Sequence, residues 1–147
     1  MKIVHIITGL GDGGAEHTLY KICKYDTKNE HIVISFQGKE KYFFLLKEIG
    51  IETYALNARW FSIKKFLFLL KLLKSLNPRI VQTWLVHADF IGSIAARFAG
   101  YKNIVWNIRY SKFKLGQAKF TTILIINLLI KLSHFLPLSI LVCSKKA

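Results

Sequence analysis

The residue types best suited to chemistry are concentrated in one stretch, Thr8-Gly-Leu-Gly-Asp-Gly-Gly-Ala-Glu16, between a short apolar run and the first amphipathic segment. Glycines let a backbone approach an anion closely, and a helix N-terminus supplies unpaired N–H groups and positive potential. Gly9, Gly11 and Gly14 satisfy the G-x-G-x-x-G spacing of a dinucleotide site. That site also requires an acid at the end of the second strand to hold the ribose hydroxyls. Here the second strand ends Ser35-Phe36-Gln37-Gly38, and the first carboxylate, Glu40, follows Lys39. A nicotinamide or flavin site is therefore not expected, whereas a tight strand-to-helix turn remains an alternative to an anion-binding loop.

The cations form two further groups. Arg109-Tyr-Ser-Lys-Phe-Lys-Leu-Gly-Gln-Ala-Lys119 mixes positive charge with aromatics in an expected loop at the carboxyl end of the sheet, the edge where open α/β folds bind ligands. In Ser62–Leu76, helical steps put Ile63, Phe66, Leu69, Leu70, Leu73 and Leu76 on one face and Lys64, Lys65, Lys71 and Lys74 around the other, with Phe68 and Leu72 on the lysine side. Apolar residues among lysines are what an interfacial helix presents to anionic lipid. An ordinary solvated basic face and nucleic acid are the alternatives, and lipid is favoured over both. The histidines are weaker signals. His5 lies within a strand, and His17, His31 and His134 have no partner at ligand spacing, so no metal is expected.

These residues need a scaffold, and the rest of the chain spells one. Six short runs rich in β-branched residues, Lys2–Ile7, His31–Phe36, Glu52–Leu56, Arg79–Trp84, Asn103–Ile108 and Ser139–Cys143, have strand length. Between them lie helical patterns at Ala15–Tyr25, Lys41–Ile49, Ser62–Leu76 and His87–Ala99. The second stops at Gly50, the third before Asn77-Pro78 and the fourth at Gly100. Strands apolar on both faces, alternating with helices, imply a doubly wound parallel α/β sheet of Rossmann-like form.

At 147 residues and 52% hydrophobic content the chain is expected to form one folded domain, and a net charge of +14 points to an anionic partner. Two cysteines, Cys23 and Cys143, without C-x-x-C spacing suit a reducing cytoplasm. The N-terminus reads as a strand and not as a signal peptide. Thr121–Cys143 is the one stretch to weigh as a membrane span, but Lys131, His134 and Pro137 interrupt it. The final strand runs into Ser144-Lys145-Lys146-Ala147, a good N-cap residue where a larger α/β protein would continue.

KIVHIITGLGDGGAE resembles the opening of the N-terminal domain of the large retaining glycosyltransferase family called family 4 or group 1, whose members have the two-domain GT-B architecture. RIVQTWLVHADFIGSIAARFAGYKNIVWNIR is similar to that family's strand, His-containing loop, Ala/Gly-rich helix and following strand, and SILVCSKKA to its strand ending in serine before the next helix. The resemblance covers essentially the whole chain, though Phe36–Leu76 matches in pattern more than in residues. It implies an acceptor-binding domain whose Gly13 and Gly14 face a donor diphosphate, with His87 at the cleft edge. Arg109 stands where the family often has a histidine touching the donor sugar. Arginine cannot act as a base at neutral pH, so the role implied for Arg109 is binding phosphate or carboxylate.

The resemblance also implies that the donor-binding half, absent from this sequence, is a missing or separate domain. The expected function is that of the acceptor half of a glycosyltransferase working on a lipid-linked or surface polysaccharide. The expected location is cytoplasmic, on the inner face of the membrane. No cofactor is expected to bind tightly; a UDP- or GDP-sugar would be the co-substrate of the complete enzyme, and the chain alone would be inactive. The alternative is a non-catalytic basic module that binds anionic membrane or nucleic acid.

Overall fold

The computed structural model describes residues 1–57, 62–109 and 120–142. The strands are β1 (Lys2–Ile7), β2 (Glu30–Ser35), β3 (Glu52–Ala55), β4 (Ile80–Trp84), β5 (Ile104–Ile108) and β6 (Ser139–Val142). They form one sheet in the order β3-β2-β1-β4-β5-β6 with every pairing parallel. The order reverses between β1 and β4, and the carboxyl ends of strands at such a switch point are the position where doubly wound sheets take ligands.

Among the described residues, five helices cover the sheet: α1 (Gly14–Tyr25), α2 (Lys41–Glu48), α3 (Ile63–Leu76), α4 (Val86–Phe98) and α5 (Phe120–Leu132). On one side, Ala15, Leu19 and Cys23 of α1 and Tyr42, Phe43 and Leu46 of α2 pack with Ile7, Val33 and Trp84. On the other, α3, α4 and α5 pack on Val4, Ile6, Ile32, Ile34, Val81, Ile104 and Trp106. The small residues of α4 allow a close approach, for a Cβ on Gly92 would lie 3.2 Å from methyl carbons of both Ile6 and Thr83. This contact fixes the height at which the first turn of α4 meets the carboxyl edge.

The expected strands and helices are present with ends displaced by a residue or so. The helix α3 ends in Asn77, whose φ of 46° and ψ of 58° put it in the left-handed region; this suits a residue that proline excludes from the right-handed one. Two assignments within α3 are corrected. Leu72, expected among the lysines, is buried with Leu69, Leu73 and Leu76, whereas Ile63, expected in the core, is exposed. The buried arc simply begins further round the helix.

Among the described residues, no helix is long and apolar enough to cross a membrane. Cys143 and Ser144 lie outside the described residues, as does the basic segment 110–119.

Candidate functional site

Three connections lie at the carboxyl edge around this switch point: the glycine loop after β1, the β4–α4 junction and the residues after β5. The loop is pinned by three consecutive residues at the start of α2. The Leu10 N–H donates to Glu40 Oε2 at 2.6 Å, Lys41 Nζ pairs with Asp12 Oδ1 at 2.9 Å, and the Tyr42 N–H donates to the Leu10 carbonyl at 2.9 Å. The Tyr42 hydroxyl also meets His17 Nδ1 at 3.0 Å. Glu40, too far along to serve the ribose of a dinucleotide, thus binds the loop itself, a role that linear spacing did not reveal.

Two of the loop glycines lie under the ends of long, flexible side chains. A Cβ on Gly9 would stand 2.6 Å from Gln37 Oε1, and one on Gly13 would stand 2.4 Å from Glu16 Oε2, whereas at Gly14 there is open space. Gly13 is the N-cap of α1 and Glu16 sits in its first turn, so that carboxylate already lies against the positive end of the helix dipole. Gly13 and Gly14 therefore occupy the helix N-terminus as expected, but in company with Glu16 and Glu40. The hydroxyls of Thr8 and Ser35, at the carboxyl ends of β1 and β2, are buried with no hydrogen-bond partner among the described residues.

At the second connection, Leu85 precedes α4 with φ 72° and ψ 152°, a conformation costing a non-glycine residue about 1–3 kcal/mol. His87 follows in the first turn of α4, half-buried. Two residues further on, Asp89 is buried and accepts a 2.7 Å hydrogen bond from Thr83 Oγ1 of β4. Burial pushes its carboxyl up to about 7, against the lowering effect of the Thr83 bond.

The third connection carries Arg109. Its Nε–H donates to Asn107 Oδ1 at 2.9 Å, and its guanidinium carbon stands 5.3 Å from the centre of the Trp84 ring. Trp84 and Asn107 are register partners on β4 and β5, and both are buried. Trp84 in turn belongs to a polar row that descends across the sheet. Its Nε1–H donates to His5 Nδ1 at 3.3 Å, and His5 Nε2 meets His31 Nδ1 at 2.9 Å.

An indole N–H only donates, so His5 Nδ1 must accept and Nε2 must carry the proton given to His31. His31 Nε2 then faces Asp26 Oδ2 at 3.3 Å without the alignment of a hydrogen bond. Burial holds the His5 pKa down at about 3 and pushes the neighbouring Cys23 thiol up to about 12. His5, Cys23 and His31 each bring a ligand atom within 4.8 Å of the others. With its Nε2 protonated, however, His5 offers no lone pair to a cation, and the geometry is that of a hydrogen-bonded row. The linear spacing of the histidines gave no sign of this cluster.

The structure thus brings the glycine loop, the His87 turn and Arg109 to one edge of the sheet, while the α3 lysines belong elsewhere. Lys64, Lys71 and Lys74 are exposed on one arc with Ile63, Leu67 and Phe68, and about half of the Phe68 surface is open. Lys65 differs from them. Its ammonium donates to the carbonyls of Leu56 and Asn57, tying α3 to the chain after β3.

No protein-family model matches the sequence, and comparison with curated proteins gives no match. Solved structures do match. HepE from Anabaena, in complex with UDP and glucose, superposes with a TM-score of 0.73 over 95% of this chain and 37% of its own, at 16% identity. MurG from Acinetobacter baumannii gives 0.65 over 99% of this chain and 42% of its own, at 14% identity. The chain has the fold of a GT-B glycosyltransferase domain. The lipopolysaccharide outer core galactosyltransferase WaaB, apo form, shares that GT-B fold with a TM-score of 0.52 over 72% of this chain and 32% of its own, at 18% identity. The chain accordingly spans well under half the length of each of these GT-B proteins.

Proposed function

We propose that this chain is the acceptor-side half of a glycosyltransferase that moves a sugar from a UDP- or GDP-sugar to a lipid-linked or surface polysaccharide acceptor. The observation that carries the reading is the superposition on little more than a third of HepE, a protein crystallised with UDP and glucose. It is supported by the glycine loop, His87 and Arg109 meeting at the carboxyl edge of the sheet. WaaB, named for lipopolysaccharide, is in keeping with a saccharide acceptor on a lipid.

In this reading the carboxyl edge forms one wall of a cleft and a donor-binding domain forms the other. An acceptor hydroxyl attacks the anomeric carbon as the bond to the diphosphate breaks, and its proton passes to the departing diphosphate. The wall contributes by positioning the acceptor and by placing positive charge near the departing phosphates. Gly13, Gly14 and Arg109 face the diphosphate, and His87 and Arg109 border the acceptor. The exposed α3 arc of Lys64, Phe68, Lys71 and Lys74 rests on anionic lipid at the cytoplasmic face of the membrane. That arc also favours the second reading, a non-catalytic basic module for anionic membrane, because it needs no sugar chemistry.

Backbone amide shifts on addition of UDP-glucose separate the two. Perturbations at Gly13, Gly14, His87 and Arg109 are expected. Perturbations confined to the opposite sheet edge, near Lys2, Glu30 and Ile80, would remove the transferase reading.

A further inference from the structure

Arg109 is held in a way that a solvated arginine is not. Its Nε–H is taken by the side-chain amide oxygen Oδ1 of the buried Asn107, and its guanidinium lies over the buried Trp84 ring. Arginine has five N–H donors in a planar fork, so four remain, and none has a partner among the described residues. The ring beneath is itself fixed. Trp84 is tied to His5, and His5 to His31, by bonds whose direction the indole dictates. The row climbs diagonally through β2, β1 and β4 and reaches Arg109 at the end of β5.

We propose that Arg109 is a preset fork for an anion presenting two oxygens, and that Asn107 and Trp84 are its positioning residues, with the His5–His31 pair holding Trp84. A fork matches phosphate and carboxylate bidentately, which a lysine point charge does not. Restricting the side chain beforehand also reduces the ordering cost of binding. The anion is a phosphate of the donor or a carboxylate of an acidic sugar in the acceptor. The proposal rests on reading the carboxyl edge as the ligand site and adds the specificity of one residue within it.

The test follows the Arg109 Nε–H and the indole N–H signals during titration with inorganic pyrophosphate and, separately, with glucuronate. Trp106 serves as an internal control, because its Nε1 donates to Ser93 Oγ on the other side of the sheet. The fork predicts that Arg109 and Trp84 shift and Trp106 does not. Arg109→Lys keeps the charge and should weaken binding about tenfold or more, and Asn107→Leu should weaken it about as much with the fold intact. Asn107→Asp, which restores the acceptor, should recover the orientation of the Nε–H.

If Arg109→Lys binds as tightly as the native chain, or if neither anion moves the Arg109 signal, the fork is wrong. Pyrophosphate shifts confined to Gly13 and Gly14 would overturn the fork and leave the transferase reading standing. Shifts of Arg109 and Trp84 with glucuronate alone would keep the fork and remove the donor-facing role of this edge.

Discussion

Replacing Asp89 by asparagine gives a sharp test of how the β4–α4 junction is held. The buried Asp89 carboxyl has a pKa of about 7 in the folded chain against an ordinary value of 3.8. A raised folded pKa means that the group's stabilising contribution is complete below pH 3.8 and is lost as pH rises through 7. At about 1.4 kcal/mol for each pH unit between the two values, the ionised carboxylate costs about 4 kcal/mol at pH 7.5 relative to a neutral group of the same shape.

His5 acts in the opposite sense. Its pKa falls from 6.5 to about 3, so its contribution is present above pH 6.5 and is lost as pH falls toward 3. Between pH 7.5 and 4.5 the two groups change stability by about 3 kcal/mol each with opposite sign, and together they nearly cancel. Asp89→Asn removes one of them while its amide oxygen still accepts from Thr83. Urea denaturation should show the variant more stable than the native chain by about 4 kcal/mol at pH 7.5 and by about 1 at pH 4.5, with a steeper loss on acidification. Equal stability at pH 7.5, or parallel pH curves for the two proteins, would refute the burial argument.

Glu40→Gln removes a negative charge from the Leu10 N–H and should tighten pyrophosphate binding severalfold by calorimetry if the glycine loop is a phosphate contact; unchanged affinity would place the anion elsewhere. In flotation with phosphatidylglycerol vesicles, Lys64, Lys71 and Lys74 changed together to Gln should weaken recovery and its salt sensitivity, each cation contributing about 1 kcal/mol. Phe68→Ser should weaken recovery in a way that salt does not reproduce. Lys65→Gln should instead lower thermal stability with recovery intact, because its ammonium is engaged with Leu56 and Asn57; equal recovery of the native chain on neutral vesicles would contradict this surface assignment.

The fold was legible because the strands are bounded, β-branched runs and four of the helices have a clear apolar face. The fifth helix carries no such mark. Phe-Thr-Thr-Ile-Leu-Ile-Ile-Asn-Leu-Leu-Ile-Lys-Leu is apolar nearly all round, so it carries no periodicity and reads more like a stretch to test for a membrane. Leu72 and Ile63 depart from the helical spacing for a related reason. Helical spacing orders residues around an axis, but only the neighbouring elements decide where the buried arc begins.

At the site, the glycine loop, His87 and Arg109 could be found because each follows a recognisable strand. What the sequence concealed was pairing between distant segments. Glu40 is 30 residues from Leu10, and Trp84 is 79 residues from His5. No local pattern announces a hydrogen bond between strands whose adjacency depends on the sheet order.

The central claim, that this chain is the acceptor-side wall of a sugar-transfer cleft, is tested most directly by comparing two affinities of the same preparation. One is for UDP-glucose or a GDP-sugar by calorimetry, and the other is for a polyprenyl-diphosphate-linked saccharide in nanodiscs. The account predicts binding to the lipid-linked saccharide at least about tenfold tighter than to the nucleotide sugar, whose affinity should be no better than about millimolar. Micromolar binding of the nucleotide sugar with no binding of the lipid-linked saccharide would contradict it, because the donor site would then lie on this chain.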